Sequence, residues 1–203
     1  MSLSIAKTFV LVGGLVVLAH QLWLHFRDAG VKTIQKPNTW QQSLSLSSVT
    51  FGMIAVVFLM TDFGYYPIAT ENIANLVHIL GVISFALGGG MRIWALHSLG
   101  PNFSPDLRIV AGGNLVTGGA YALVRHPYYL SALLLVTGAG LALMNVFVFL
   151  LAVLFGFVFR QRIGVEEKML IEHYGDAYLR YQQVVPMLIP PLLGHKRDHI
   201  DSG

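Results

Sequence analysis

The sequence predicts an all-α integral membrane protein of five transmembrane helices, the last two forming a short helical hairpin. Three observations lead there: a shortage of charge, uncharged runs of bilayer length, and an uneven distribution of basic residues between loops. Only 11% of the 203 residues are charged, against 55% hydrophobic. Soluble domains carry about 25% charged residues, so this chain cannot clothe an ordinary water-facing surface. It has no cysteine, which excludes disulfide frameworks, thiolate metal sites, iron–sulfur clusters and cysteine nucleophiles. A net charge of +3, spread along the chain, is too small for a nucleic-acid surface.

A hydrocarbon core about 30 Å thick needs about 20 apolar residues of helix at 1.5 Å each. Four uncharged runs qualify: 8–26, 37–61 (apolar mainly from Leu44), 72–91 and 127–159. The first resembles a signal peptide in following Lys7, but it is longer than an h-region and lacks a small-x-small cleavage site, which makes it a retained anchor. The fourth is too long for one span. Met144-Asn145 at its middle supplies a turn, giving helices over about 125–143 and 146–164. Each is barely long enough, so Arg125 and Arg160 fall at the outer ends, with stems able to snorkel toward headgroups. Gly88-Gly89-Gly90 in the third span reads as a site of close helix packing.

Five spans place the termini on opposite sides. One side collects Arg27, Lys32, Lys36, Arg92, Arg108, Arg125, Arg160, Arg162, Lys168, Arg180, Lys196 and Arg197, while the other holds only Lys7. The positive-inside rule therefore puts the N-terminus outside and the C-terminus in the cytoplasm, with the acidic loop 62–71 outside. If the chain is bacterial, the membrane is the inner one. The third loop, 97–127, and the segment 160–203 share the cytoplasmic face, where a soluble cofactor would meet them. The polar tail from His195 onward is expected to fray.

Chemistry concentrates in those two segments. The third loop reads LGPNFSPDLRIVAGGNLVTGGAYALVRHPYY over 99–129. Its prolines and Gly-Gly pairs break helix repeatedly, and irregular backbone beside a membrane offers N–H and C=O groups to a ligand. Arg125, His126, Tyr128 and Tyr129 are costly groups at a helix mouth, and Pro127 suits the first turn of the helix they open. The second cluster is Arg160, Arg162, Glu166, Glu167 and Glu172. On a helix Arg162 and Glu166 share a face, whereas Glu167 points about 100° away. Leu170, Tyr174, Ala177, Tyr178 and Tyr181 continue at helical spacing as an amphipathic stretch, with an interruption expected at Gly175 and a new cap at Asp176. His20, His25, His78 and His97 lack metal-like pairing and read as packed or interfacial. His195 and His199 lie in the tail, and no metal site is expected.

Together, LVTGGAYALVRHPYY (115–129), R-x3-EE-x2-LI-x2-YGDAYLRY (162–181) and VP-x2-IP (185–190) resemble the isoprenylcysteine carboxyl methyltransferase family and its phospholipid methyltransferase relatives. The resemblance covers roughly the C-terminal half. It implies a helical membrane enzyme dependent on S-adenosylmethionine, with a cytosolic cofactor pocket formed by the third loop and the C-terminal helical segment. It further implies that Gly113, Asn114, Leu115, Val116 and Tyr121 wrap the cofactor largely through backbone. His126, Pro127, Tyr128 and Tyr129 complete the pocket at the helix start, Glu166 meets the cofactor, and Arg162 receives the acceptor's carboxylate. Two departures from the family pattern are Ser131, where glycine is frequent, and Gly113, where a polar residue is common.

On this reading residues 1–98 form three N-terminal helices and 99–203 the catalytic half, together one folded unit. The expected partners are membrane lipids and a lipophilic small-molecule or prenylated acceptor entering from the bilayer, with no nucleic acid. A carboxylate acceptor is already ionised at neutral pH and needs positioning without a general base. Alternatives are a phospholipid amine or small thiol acceptor, for which His126 or a tyrosine would act as base, a sterol-reductase-like enzyme, and a non-enzymatic scaffold or transporter subunit.

Overall fold

The computed structural model describes residues 3–27, 33–35, 65–66, 70–100, 109–110 and 114–190. Its helices are α1 (Leu3–Arg27), α2 (Glu71–Leu99), α3 (Pro127–Ala142), α4 (Val146–Tyr174) and α5 (Asp176–Val184), with a 3-10 turn over Gly119–Ala122. Among the described residues α1, α2 and α4 are long and apolar enough to cross a membrane, and α3 is a shorter apolar helix. At 1.5 Å per residue the 16 residues of α3 reach about 24 Å. The expected span over 37–61 lies outside the described residues.

Large apolar side chains stand exposed along all three long helices, among them Val16, Leu87, Ile93, Val153 and Phe157. Spread along helices of this length, they form a surface suited to lipid, and the chain is an integral membrane protein.

The expected hairpin is present, with α3 ending at Ala142 and α4 starting at Val146. Met144 takes a left-handed φ of 46°, and Asn145 Oδ1 accepts from the Val148 N–H at 3.1 Å, the cap a helix start favours. Tyr66 N–H donates to the Met144 carbonyl at 2.9 Å, which places Tyr66 against this turn.

At the far end of α4 one expectation holds and one needs correcting. The helix runs ten residues past the expected span end at 164, without a break, to Tyr174, where the interruption at Gly175 was expected. Gly175, at φ 55°, ends it and also begins α5. Asp176 is therefore the first residue of α5 and not its cap; there its carboxylate sits favourably at the positive end of the helix dipole.

Helices α2 and α3 meet backbone to backbone. A Cβ at Gly81 would lie 2.1 Å from the Ala142 nitrogen, and one at Gly138 would lie 2.4 Å from the Phe85 nitrogen. Gly88 meets Leu135 and Ser131, whereas Gly89 and Gly90 face open space, so only the first glycine of the triplet serves packing. Buried His78 seals the seam, its Nδ1–H donating to the Ala142 carbonyl at 2.6 Å. Val10, Phe85, Leu135, Ala139, Ala142, Leu143 and Val148 form the surrounding core.

A small departure from the all-α expectation is an antiparallel ribbon of β1 (Thr33–Gln35) and β2 (Ile109–Val110) that joins the first and third loops. Strands of two or three residues are too short to leave an alternating pattern in a sequence.

Candidate functional site

The site gathers around the N-terminal end of α3. Pro127 is in its first turn and His126 is the residue before the helix. That arrangement suits both: proline needs no N–H partner there, and the residue preceding a proline is disfavoured in the helical region. The two N–H groups ahead of the proline are bound across the chain. Arg125 N–H donates to the Pro186 carbonyl at 2.8 Å and His126 N–H to the Met187 carbonyl at 3.1 Å. The VP-x2-IP segment is thus a strap laid across the helix start.

Three hydrogen-bond networks radiate from this corner. In the first, Arg125 Nε donates to Glu167 Oε1 at 2.9 Å, and Arg125 Nη1 to the carbonyls of Gln182 and Val185. His126 Nε2 lies 3.2 Å from the same Glu167 oxygen. Burial alone would push the Glu167 carboxyl up, but the hydrogen bonds from His126 and Arg125 and the Arg125 charge outweigh it and bring it down to about 2. Arg125 therefore holds the strap and α4 together, where the sequence suggested a side chain reaching outward to headgroups.

In the second network Arg162 Nε donates to the Tyr129 hydroxyl at 2.9 Å, and that hydroxyl donates to Glu166 Oε2 at 2.8 Å. Arg162 is 6% exposed. The shared face expected of Arg162 and Glu166 is real, with a tyrosine oxygen bridging their charges. Beside them Tyr129 packs on Phe159 at 5.1 Å between ring centroids, and Phe155 stacks on Phe159. With Ile163 and the partly buried Met187 and Leu188, these rings form an apolar wall next to the arginine.

The third network turns toward α2. Buried Arg92 donates from Nη2 to the Tyr128 hydroxyl at 2.6 Å and lies 4.3 Å from that ring's centroid.

The third loop lies against α5. Leu115 packs on the cluster of Tyr178, Tyr181 and Val185, and Tyr181 donates to the Tyr121 carbonyl at 2.6 Å. Ser98, near the end of α2, accepts from the Ala120 N–H at 3.1 Å. Gly119 is required at this approach: its φ is 61°, and a Cβ there would lie 2.3 Å from Ser98 Oγ. Asn114 is exposed and Leu115 and Val116 half-buried, all outside helix and strand. Burial and the nearby Glu166 raise the Tyr121 hydroxyl well above its ordinary value, which keeps it neutral.

The sequence-singled residues thus fall into place unevenly. Tyr129, Arg162 and Glu166 come together, His126 belongs to Glu167, Tyr128 belongs to Arg92, and Gly113 lies outside the described residues. Sequence reasoning missed the partnership of Arg125 with Glu167 and the place of Arg92. Adjacent glutamates signal two directions on a helix, but nothing local says what waits at the end of either. Among the described residues no cluster of three His, Asp or Glu could hold a metal ion.

Residues 79–172 match the isoprenylcysteine carboxyl methyltransferase (ICMT) family. Among individual proteins, the chain is 36% identical over 132 residues to a protein-S-isoprenylcysteine O-methyltransferase of Saccharomyces cerevisiae, covering 62% of this chain and 52% of that one. The protein of the same name from Schizosaccharomyces pombe is 38% identical over 135 residues, 62% of this chain and 55% of its own. The Homo sapiens protein is 31% identical over 184 residues, 86% of this chain and 63% of its own. The chain spans about half the length of the fungal relatives it matches. The matched stretch runs from α2 through most of α4 and contains Arg92, Arg125, Tyr129, Arg162, Glu166 and Glu167. The likeness to the isoprenylcysteine carboxyl methyltransferase family thus rests on residues 79–172, a little under half of the chain.

Proposed function

We propose that this protein transfers a methyl group from S-adenosylmethionine to the carboxylate of a lipophilic, isoprenylcysteine-like acceptor. The observation that carries the reading is the Arg162–Tyr129–Glu166 chain: a cation and an anion one helical turn apart, held by one hydroxyl beside an aromatic wall. A planar guanidinium matches a carboxylate and stays charged, so Arg162 orients the acceptor without taking a proton from it. Tyr129 and the turn of α4 restrict where that guanidinium points, the kind of positioning on which in-line displacement depends. The Phe155–Phe159–Ile163 wall gives the acceptor's hydrocarbon a place adjoining the arginine.

The residues present fit the cofactor. Asn114, Leu115 and Val116 offer irregular backbone, Tyr121 and the helix start from His126 to Tyr129 flank it, and the Glu166 carboxylate suits a polar or cationic group. Gly113, adjacent in sequence, belongs to the same proposed binding set. When bound, the sulfonium supplies an electrophilic methyl group and leaves as a neutral thioether.

In this reading the corner faces the cytoplasm and the N-terminus lies outside. The N-terminal helices (1–98) and the catalytic half (99–203) act as one unit, and the acceptor, a lipophilic molecule or a prenylated protein, enters from the bilayer.

Calorimetry with S-adenosylhomocysteine on the detergent-purified protein tests it. Micromolar binding is expected, weakened at least tenfold in Glu166→Ala and less in His126→Ala, followed by methyl transfer to a prenylcysteine analogue. A folded wild type that binds none of the nucleoside overturns the reading.

A further inference from the structure

The buried face of α5 carries two tyrosines, three residues apart and therefore on one side of the helix. Tyr178 is 1% exposed and Tyr181 4%, and their rings pack edge to face at 5.7 Å. Tyr181 places its hydroxyl on the Tyr121 carbonyl. The Tyr178 hydroxyl is just as enclosed, yet it has no hydrogen-bond partner among the described residues.

Buried polar atoms in folded proteins nearly always have a partner, and one left without it calls for an explanation, such as a functional role or a bound water or ion. Phenylalanine would fill the same space without burying an unsatisfied oxygen. The surroundings say what kind of group is missing. Leu115 from the third loop lies against this cluster, as do Leu170 and Ile171, one turn of α4 beyond Glu166 and Glu167. Burial, followed by those two carboxylates, raises the Tyr178 hydroxyl far above its ordinary value, while Arg125 opposes them more weakly. The group is a neutral O–H donor, set between the loop and the acidic turn that together would hold the nucleoside.

We infer that Tyr178 is a further cofactor-binding residue, whose O–H donates to an acceptor atom of the S-adenosylmethionine-type ligand gripped by the loop at Leu115. This rests on the methyltransferase reading and extends its binding set to α5, a helix beyond the matched stretch. It also gives the two tyrosines separate duties: Tyr181 secures the loop to α5, and Tyr178 meets what the loop holds.

The test compares wild type, Tyr178→Phe and Tyr181→Phe as full-length detergent-purified proteins. Each is measured for S-adenosylhomocysteine affinity and for the melting temperature of the ligand-free form. Tyr178→Phe is expected to weaken binding by about 3- to 15-fold, the loss of one neutral hydrogen bond, with the ligand-free melting temperature unchanged or raised. Tyr181→Phe is expected to lower the ligand-free melting temperature. Wild-type affinity in Tyr178→Phe would overturn the inference, leaving a trapped water as the partner of the hydroxyl. A fall in the ligand-free melting temperature of Tyr178→Phe would overturn it as well, by making the role structural. Absence of binding in the wild type overturns the methyltransferase reading itself, a separate result from either of these.

Discussion

The two halves of α3 are built on opposite principles. Toward its C-terminal end the helix meets α2 through Gly81, Gly138 and the Ala142 backbone, where the contact exists because side chains are missing. Toward its N-terminal end it meets α4 and the C-terminal strap through Arg125, His126 and Tyr129, where the contact exists because charged side chains are present and answered. Lipid is as apolar as a helix surface, so the seam has only close packing and hydrogen bonds such as that of His78 to hold it. The corner encloses charges that are stable only in pairs. One region fails by becoming too full, the other by losing a partner, and the proposed chemistry sits where that second kind of failure is possible.

The largest expected effect comes from filling the seam. Gly81→Val places carbon against backbone that cannot step aside, at a cost of about 3 kcal/mol or more, and is expected to abolish a cooperative thermal transition in detergent. Gly89→Ala, on the same helix but facing open space, is expected to raise stability by up to about 1 kcal/mol. Similar losses in both would break the contrast drawn between the two glycines.

In the corner, Arg162→Lys keeps a charge and loses the planar fork. The expected outcome is a drop of about 10- to 100-fold in kcat/KM for the acceptor, the value of a charge-assisted hydrogen bond, with S-adenosylhomocysteine affinity changed far less. Equal losses of both would mean that the two ligands do not divide between Arg162 and Glu166.

The smallest effect is a pH dependence. The Glu167 carboxyl titrates at about 2 in the folded protein against 4.5 ordinarily, so a lowered folded value means that the ionised form favours folding. Its contribution is complete above about pH 4.5 and is lost as pH falls toward 2. Glu167→Gln is therefore expected to melt lower than wild type at pH 7, with the gap closing as the pH falls through that window. A gap that persists unchanged at pH 2 would remove the ion pair from the account of the strap. The same variant leaves Arg125 with the Gln182 and Val185 carbonyls, so partial stability should remain.

Legibility differed between the regions in a way that follows from range. The hairpin turn was readable because Met144-Asn145 interrupts an apolar run too long for one bilayer. Proline at the first turn of α3 and the break at Gly175 were readable from neighbouring residues alone. In the seam, the glycine triplet marked close packing at Gly88, but Gly81 and Gly138 looked like any isolated glycine until their partner helix was in place. At the corner, the resemblance singled out Tyr129, Arg162 and Glu166, and the three do meet. It left Arg125, Glu167 and Arg92 unassigned, although they form the neighbouring networks. The membrane span expected to end near 164 and the amphipathic stretch expected to break at Gly175 proved to be one continuous helix to Tyr174, because no residue between them interrupts backbone hydrogen bonding.

By itself the sequence determined the class of the protein, its apolar helices, the hairpin and the two polar segments whose side chains meet at the corner. Hydrophobic run length, proline and glycine act within a turn or two of chain, so their consequences are local and can be read in one dimension. Only the tertiary structure decided that Glu166 answers Tyr129 while Glu167 answers Arg125 and His126, that Tyr128 belongs to Arg92, and that the Tyr178 hydroxyl is enclosed without a partner among the described residues. Those pairings join residues 36 to 42 positions apart, and the packing of whole helices sets which side chains come within hydrogen-bonding distance of one another.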